Sequence, residues 1–265
     1  MSQALSKAKL SSLRKFHQKK TRQAEGRFLI EGWHLLDEAL KAKRRIHALI
    51  YQEDPRRASE EEDILTRAVE VSSEAFVATS VQLSQLSDTK CAQGVAALID
   101  AVGVSFDELE RDLPASGPLR LVLLDDVSDP GNCGSIVRAS DWFGMDGIVL
   151  GNGCAELENG KTARSSMGGM FHLPVATDVD LPATIARLQA LGVSLVTTEL
   201  EAATSLEGFV FPNRCALVIG NEARGVSKTV SEQADARVFA PRFGGGESLN
   251  AALAAAVFLA RWRLS

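Results

Sequence analysis

The sequence predicts an α/β protein in two parts, a small N-terminal α/β domain over residues 1–100 and a C-terminal domain over 119–265 built on a parallel sheet. Three observations predict it. Fully apolar runs of strand length alternate with helical stretches after residue 119, the pattern of a parallel sheet covered on both faces. Strands and helices also alternate, less regularly, over the first 100 residues. Between the two, residues 100–118 mix acids with Pro114, Ser116, Gly117 and Pro118, so 101–118 is the linker expected.

The elements follow in order. Residues 6–22 read as one basic helix with Leu10, Leu13 and Phe16 on one face, broken by Gly26. Phe28-Leu-Ile-Glu31-Gly32 leads into a helix through Trp33, Leu36, Ala39 and Leu40. Ile46 to Tyr51 is a strand that Pro55 ends, Glu60 to Val69 a charged helix, and Gly94 to Ile99 a buried strand. Beyond the linker, Leu119 to Leu124 is a strand, Gly134 to Phe143 a helix and Gly147 to Leu150 a strand. Pro182 to Leu191 is a helix and Val193 to Thr198 a strand. Ala216 to Ile219 is a strand, Val226 to Ala234 a helix, Val238 to Ala240 a short strand and Ser248 to Arg263 a long helix.

Charge is unevenly placed. Residues 1–57 hold 14 of the 29 Lys and Arg and 6 of the 34 acids, a net +8, which leaves −13 for the rest of a chain whose total is −5. A basic end on an acidic protein suggests a grip on a polyanion, weighed against the ordinary solvated helix face. The residues that would supply it are Arg14, Lys15, Lys19, Lys20, Arg22 and Arg27. Four cysteines, Cys91, Cys133, Cys154 and Cys215, form no CxxC pair, which argues against a disulfide framework and against a metal site. Buried reduced thiols are the expectation. Cys133 stands where a nucleophile could, but no His lies near it in sequence. No signal-peptide core opens the chain, and the longest uncharged apolar run, Ala251 to Ala260, is too short to span a bilayer. A cytoplasmic protein without a membrane partner is expected.

Three segments carry the chemistry: DPGNCGSIVRAS (Asp129 to Ser140), VIGNEARGVS (Val218 to Ser227) and PRFGGGESLNAALAAA (Pro241 to Ala256). Each sets Gly, Asn or Ser where a strand ends and a helix begins. In a parallel sheet those carboxyl ends are where ligands bind. In the first, Asn132 is placed to cap the helix and Arg138 offers a planar fork suited to phosphate. In the second, Gly220 lets a ligand approach the backbone, and Glu222 would sit at the site mouth. In the third, a triple glycine precedes Glu247, Ser248 and Asn250. The glycine spacing of Gly131 and Gly134 does not fit a dinucleotide fold, and neither a P-loop nor a Gly-x-Ser-x-Gly elbow occurs.

In order and spacing the three segments resemble the motifs of the SpoU (TrmH) branch of the SPOUT RNA methyltransferases. KTARSSMGGMFHLPV (Lys161 to Val175) resembles that family's stretch between its first and second motifs. RFLIEGWHLLDEAL, with Gln93-Gly94-Val95, resembles the ribosomal-protein-like substrate-binding domain often fused to it. The resemblance implies a homodimeric α/β enzyme with a trefoil knot at its carboxyl end, a feature rare enough that no pattern in the chain would have suggested it. It implies transfer of a methyl group from S-adenosylmethionine to a ribose 2′-hydroxyl of RNA. By position it places Asn132, Arg138, Glu222, Ser248 and Asn250 in the catalytic and substrate-contacting set. It places Gly220, Ala240 and Leu249, with Thr198 as a further candidate, around the cofactor. Ala240 and Ala223 depart from the family's usual larger aliphatic residue and glycine, and Arg242 and Phe243 are atypical after the proline. A guanosine of large-subunit ribosomal RNA is the target expected. A transfer RNA methyltransferase, a non-catalytic RNA-binding protein on the same fold and a small-molecule dehydrogenase are the alternatives.

Overall fold

The computed structural model describes residues 2–89, 93–200 and 202–264, so Cys91 lies outside the described residues. The chain folds into two compact units, Met1–Val102 with Glu158–Phe171, and Gly103–Leu157 with His172–Ser265.

The first unit runs β1 (Gln3–Ala4), α1 (Lys7–Arg14), α2 (Lys19–Glu25), β2 (Arg27–Glu31), α3 (Trp33–Lys41), β3 (Ile46–Tyr51), α4 (Ser59–Val71), β4 (Ala75–Val77), α5 (Ser80–Leu86) and β5 (Val95–Asp100). Its five strands form a mixed sheet in the order β1-β4-β3-β5-β2, with β5 antiparallel to both neighbours. Leu10, Leu13, Phe16, Ile50 and Leu98 meet in one core on it. The basic N-terminal helix is two helices, because Gln18 is extended (φ −88°, ψ 126°). The carbonyls of Phe16 and His17, which a continuous helix would use, accept from the Arg22 guanidinium instead, each at 2.8 Å. Arg22 is therefore buried and committed to the backbone, which removes it from the expected RNA-binding set. Arg14, Lys15, Lys19 and Lys20 remain exposed, while Arg27 is half-buried with its Nε 4.0 Å from Asp100.

In the second unit the stretch expected as a linker carries a helix, α6 (Phe106–Asp112), with a complete capping box on Ser105 and Glu108. Phe106 and Leu109 are buried in the unit's core, so apolar packing overrides the turn-rich composition. The chain continues through β6 (Leu119–Asp125), α7 (Pro130–Trp142) and β7 (Gly147–Gly151). Next comes α8 (Gly160–Ser166), which belongs to the first unit although the sequence placed this stretch in the C-terminal domain. There the Val102 amide donates to Glu158 at 3.1 Å, and His34 Nε2 lies 3.0 Å from the carbonyl oxygen of Met167.

The second unit is completed by β8 (Val175–Val179), α9 (Leu181–Ala190), β9 (Ser194–Thr198), β10 (Thr204–Ser205), β11 (Arg214–Gly220), α10 (Lys228–Ser231), β12 (Ala236–Phe239) and α11 (Ala251–Leu264). The seven strands are all parallel, in the order β10-β12-β9-β11-β6-β7-β8. Leu121 and Leu123 of β6 turn toward α6 and α9, and α7 and α11 pack against each other and reach β7 and β11. That two-sided cover is why β6 reads as an unbroken apolar run. The helix expected over Val226 to Ala234 shortens to α10, and the helix expected from Ser248 begins at Ala251.

Candidate active site

The strands β6, β9, β11 and β12 end at one edge of the parallel sheet, and the three motif segments leave from β6, β11 and β12 there. The first segment enters α7. Its cap is Asp129, whose carboxylate accepts the Asn132 amide at 2.9 Å, with Pro130 in the first turn. Asn132 was expected to cap this helix. Because Asp129 does so, the Asn132 side chain is released for other bonds.

Those bonds join all three segments. Asn132 Nδ2 donates to Glu222 Oε1 at 2.6 Å, and Asn250 Nδ2 donates to Asn132 Oδ1 at 2.8 Å. The direction of this relay is forced from one end. Asn250 Oδ1 already accepts the backbone amides of Ala252 and Leu253 at the start of α11, so only its NH2 can face Asn132. Asn132 must then offer its oxygen to Asn250 and its NH2 to Glu222, whose carboxylate can only accept.

Beside the relay lies a cavity of about 1020 Å³, lined by the ends of β9 and β11, the turn after β11, and residues 240–244 and 246–249. Thr198, Gly220, Ala240 and Leu249, the four residues expected at the cofactor, all line it, as do Glu222 and Ser248. Asn132, Arg138 and Asn250 do not. Arg138 is exposed on α7, and it makes no hydrogen bond or ion pair among the described residues. Six residues beyond Asn132, it stands about 9 Å along the helix axis, with a side chain leaning back toward the helix N-terminus. Ser248 likewise bonds to nothing among the described residues, so neither it nor Asn250 holds Arg138 here.

The cavity wall after β11 has little freedom. A Cβ on Gly220 would lie 2.2 Å from the Gly225 carbonyl carbon and 2.3 Å from the Val226 nitrogen, so only glycine fits. Thr198 contributes its fold position rather than a free hydroxyl, since its Oγ1 donates to the Val218 carbonyl at 3.0 Å. The sequence reading missed Glu199, which lines the cavity and accepts from Thr197 and Ser231 at 2.9 and 2.7 Å. A carboxylate directly after an apolar strand was the available signal. Cys133 is fully buried, and burial, Cys154, Glu222 and Asp129 together push its thiol far above the ordinary range. Burial also pushes Cys154 up to about 12. Neither is a thiolate near neutrality, which disposes of the nucleophile reading.

Known proteins resemble both parts of this chain. Residues 119–260, more than half of the chain, match the model of the SpoU rRNA Methylase family, and residues 7–97 match that of the MRM3-like substrate binding domain. The 23S rRNA (guanosine(2553)-2′-O)-methyltransferase RlmP of Bacillus subtilis (strain 168) is 33% identical over 95% of this chain and 94% of its own. The AdoMet-bound rRNA methyltransferase of Sinorhizobium meliloti superposes with a TM-score of 0.84 at 26% identity, over 98% of this chain and 95% of that one. AviRb, the SpoU methyltransferase of Streptomyces viridochromogenes solved with AdoMet, superposes with a TM-score of 0.85 at 24% identity over 97% of each chain, a likeness of fold.

Proposed function

Because the chain belongs to the SpoU rRNA methylase family, we propose that it transfers a methyl group from S-adenosylmethionine to a ribose 2′-hydroxyl in large-subunit ribosomal RNA, at a guanosine. The observation that carries the reading is the Asn250–Asn132–Glu222 relay, which ties three separate loops together at the rim of one cavity.

The cavity suits the cofactor. Its 1020 Å³ is at the upper end of the range for small-molecule sites, and its walls combine backbone turns and apolar side chains with charged groups of both signs, among them Glu199, Glu222, Arg224 and Arg242. Gly220, Ala240 and Leu249 would hold the cofactor largely by backbone and apolar contact, with Thr198 behind them, while Glu199 offers a carboxylate to its polar groups. When bound, the cofactor supplies an already activated methyl group on a sulfonium. The protein's task is then to align the ribose hydroxyl and ease the loss of its proton. Arg138, charged and without a partner among the described residues, binds the neighbouring phosphate and stabilises the alkoxide as charge develops. Glu222, Asn132 and Asn250 hold the ribose side of the site in register, and Ser248 donates to the substrate.

The test is single-turnover methylation of unmodified large-subunit ribosomal RNA at saturating cofactor. Arg138→Ala should lose roughly 100-fold, the scale of one lost electrostatic donor. Arg138→Lys should recover part of it, and a near-normal rate in Arg138→Ala would remove the assignment.

The exposed Arg14, Lys15, Lys19 and Lys20, with Arg27, would grip the RNA backbone within the substrate-binding unit. On α11, Leu253, Val257 and Leu264 are 61%, 44% and 81% exposed and lie on one helical stripe, which supports a homodimer through the C-terminal unit. Val257→Lys should shift sedimentation from two copies to one; an unchanged mass would exclude this stripe. The reading includes a cytoplasmic site of action and the family's trefoil knot. No helix among the described residues is long and apolar enough to cross a membrane.

A further inference from the structure

We propose that Asp126 and Arg224 form a clamp that positions the Asn221–Gly225 wall of the cofactor cavity, and with it Glu222. The inference deepens the reading above and rests on it for the identity of the ligand. Asp126 is a positioning residue, since it neither belongs to the relay nor lines the cavity. Arg224 is outside the relay but lines the cavity, so its positioning role is read by hydrogen exchange in the ligand-free protein and by Asp126→Asn.

The clamp closes as a ring of bonds. The Arg224 guanidinium donates to Asp126 Oδ2. Asn221 Nδ2 donates to the Asp126 carbonyl at 2.8 Å and lies 3.4 Å from the same Oδ2. Asn221 Oδ1 accepts the amides of Ala223 and Arg224 at 2.9 and 3.2 Å. Arg224 is thus tied at both ends, by its amide to Asn221 and by its side chain to Asp126. Two backbone bonds between Asn221 and Gly225, at 3.0 and 2.9 Å, close the turn from within. Asp125, one residue earlier, secures the far end by accepting the Ser227 amide at 2.7 Å.

Asp126 takes an unusual conformation to reach this position. Its φ is +57°, a left-handed value that Asp and Asn tolerate better than other side chains. Its carboxylate occupies the space above Gly153, where a Cβ would lie 2.4 Å from Oδ1. A surface pair of this kind, with side chains 32% and 73% exposed, adds little to global stability. What it restricts is a five-residue turn that carries Glu222 toward Asn132 and lines the cavity on its other side.

The experiment compares wild type with Asp126→Asn, Arg224→Ala, Arg224→Lys and the Asp126→Asn/Arg224→Ala pair. Asp126→Asn keeps the left-handed tolerance and an acceptor for Asn221 while removing the charge. Amide hydrogen exchange in the ligand-free protein reads the clamp without any cofactor, and calorimetry with S-adenosylmethionine reads its consequence. Exchange at residues 221–225 should quicken about three- to fivefold in Asp126→Asn and in Arg224→Ala, and the Kd for S-adenosylmethionine should rise by a similar factor. The double variant should be no worse than either single one, Arg224→Lys should recover part of the loss, and Tm should hold within about two degrees. Wild-type exchange and affinity should approach those of the variants as salt screens the pair. Unchanged exchange at residues 221–225 would overturn the clamp, as would quickening spread across the whole unit with a fallen Tm. If exchange responds as stated but no form binds S-adenosylmethionine, the clamp stands and the functional reading falls.

Discussion

Two loops line the same cavity and are held in opposite ways. The turn after β11, Asn221 to Gly225, is bound to itself, to Asp126 and through Glu222 to Asn132. The loop after β12, residues 242–248, is exposed throughout and makes one hydrogen bond among the described residues, from Arg242 to the Gly246 carbonyl at 3.1 Å. Phe243 on it is 94% exposed. A wall formed before the ligand arrives contributes shape without an ordering cost, whereas a loop with few bonds must lose freedom when it closes. One side of the cavity therefore selects, and the other adapts.

Glycines on the two loops give the sharpest way to break this comparison. Gly220→Ala drives a Cβ into the backbone at Gly225, and backbone cannot step aside as a flexible side chain would. Cofactor affinity by calorimetry should fall on the order of 100-fold, the upper range of overpacking energies. Retained affinity would mean that the wall yields.

Asn132→Ala should come next. It strips Glu222 and Asn250 of their shared partner, so the single-turnover rate should fall roughly 10- to 100-fold, the scale of a lost bond to a charged group. The Kd for S-adenosylmethionine should move much less, because Asn132 does not line the cavity. A change confined to Kd would put the relay on the cofactor side instead.

The smallest effect belongs to the loose loop. Gly245→Ala meets nothing within 4 Å and needs no left-handed φ. Affinity should change less than about threefold, and stability should rise slightly as the unfolded chain loses freedom. A loss approaching that of Gly220→Ala would show that the two walls are equally rigid.

The sequence showed part of this difference. Glycine, asparagine and serine at strand ends marked all three loops, and the apolar runs marked the parallel strands that present them. It did not separate the closed turn from the open loop, because both are glycine-containing and polar. Asn132 illustrates why. Its residue type suits a cap, and only the position of Asp129 three residues earlier, with Pro130 between, decides that it does not serve as one. Arg22 was grouped with its basic neighbours on composition, yet the break at Gln18 turns it inward onto two carbonyls. Residues 101–118 looked like a linker because acids and a Pro, Gly and Ser cluster break up the apolar groups, although Phe106 and Leu109 suffice to seat a helix.

By itself the sequence determined the local elements, the alternation that builds a parallel sheet, and the order of three loops whose residues suit a polar ligand. These follow from periodicity and backbone preference, which act over a few residues. The tertiary structure alone decided which side chains meet: Asn250 with Asn132 across 118 positions, Asn132 with Glu222 across 90, and Asp126 with Arg224 across 98. Those pairings depend on strand order, which sets β6 beside β11, and on the packing of α11 against α7. No local pattern encodes such contacts, because each partner's preference is satisfied equally well by water until the sheet brings the other within reach.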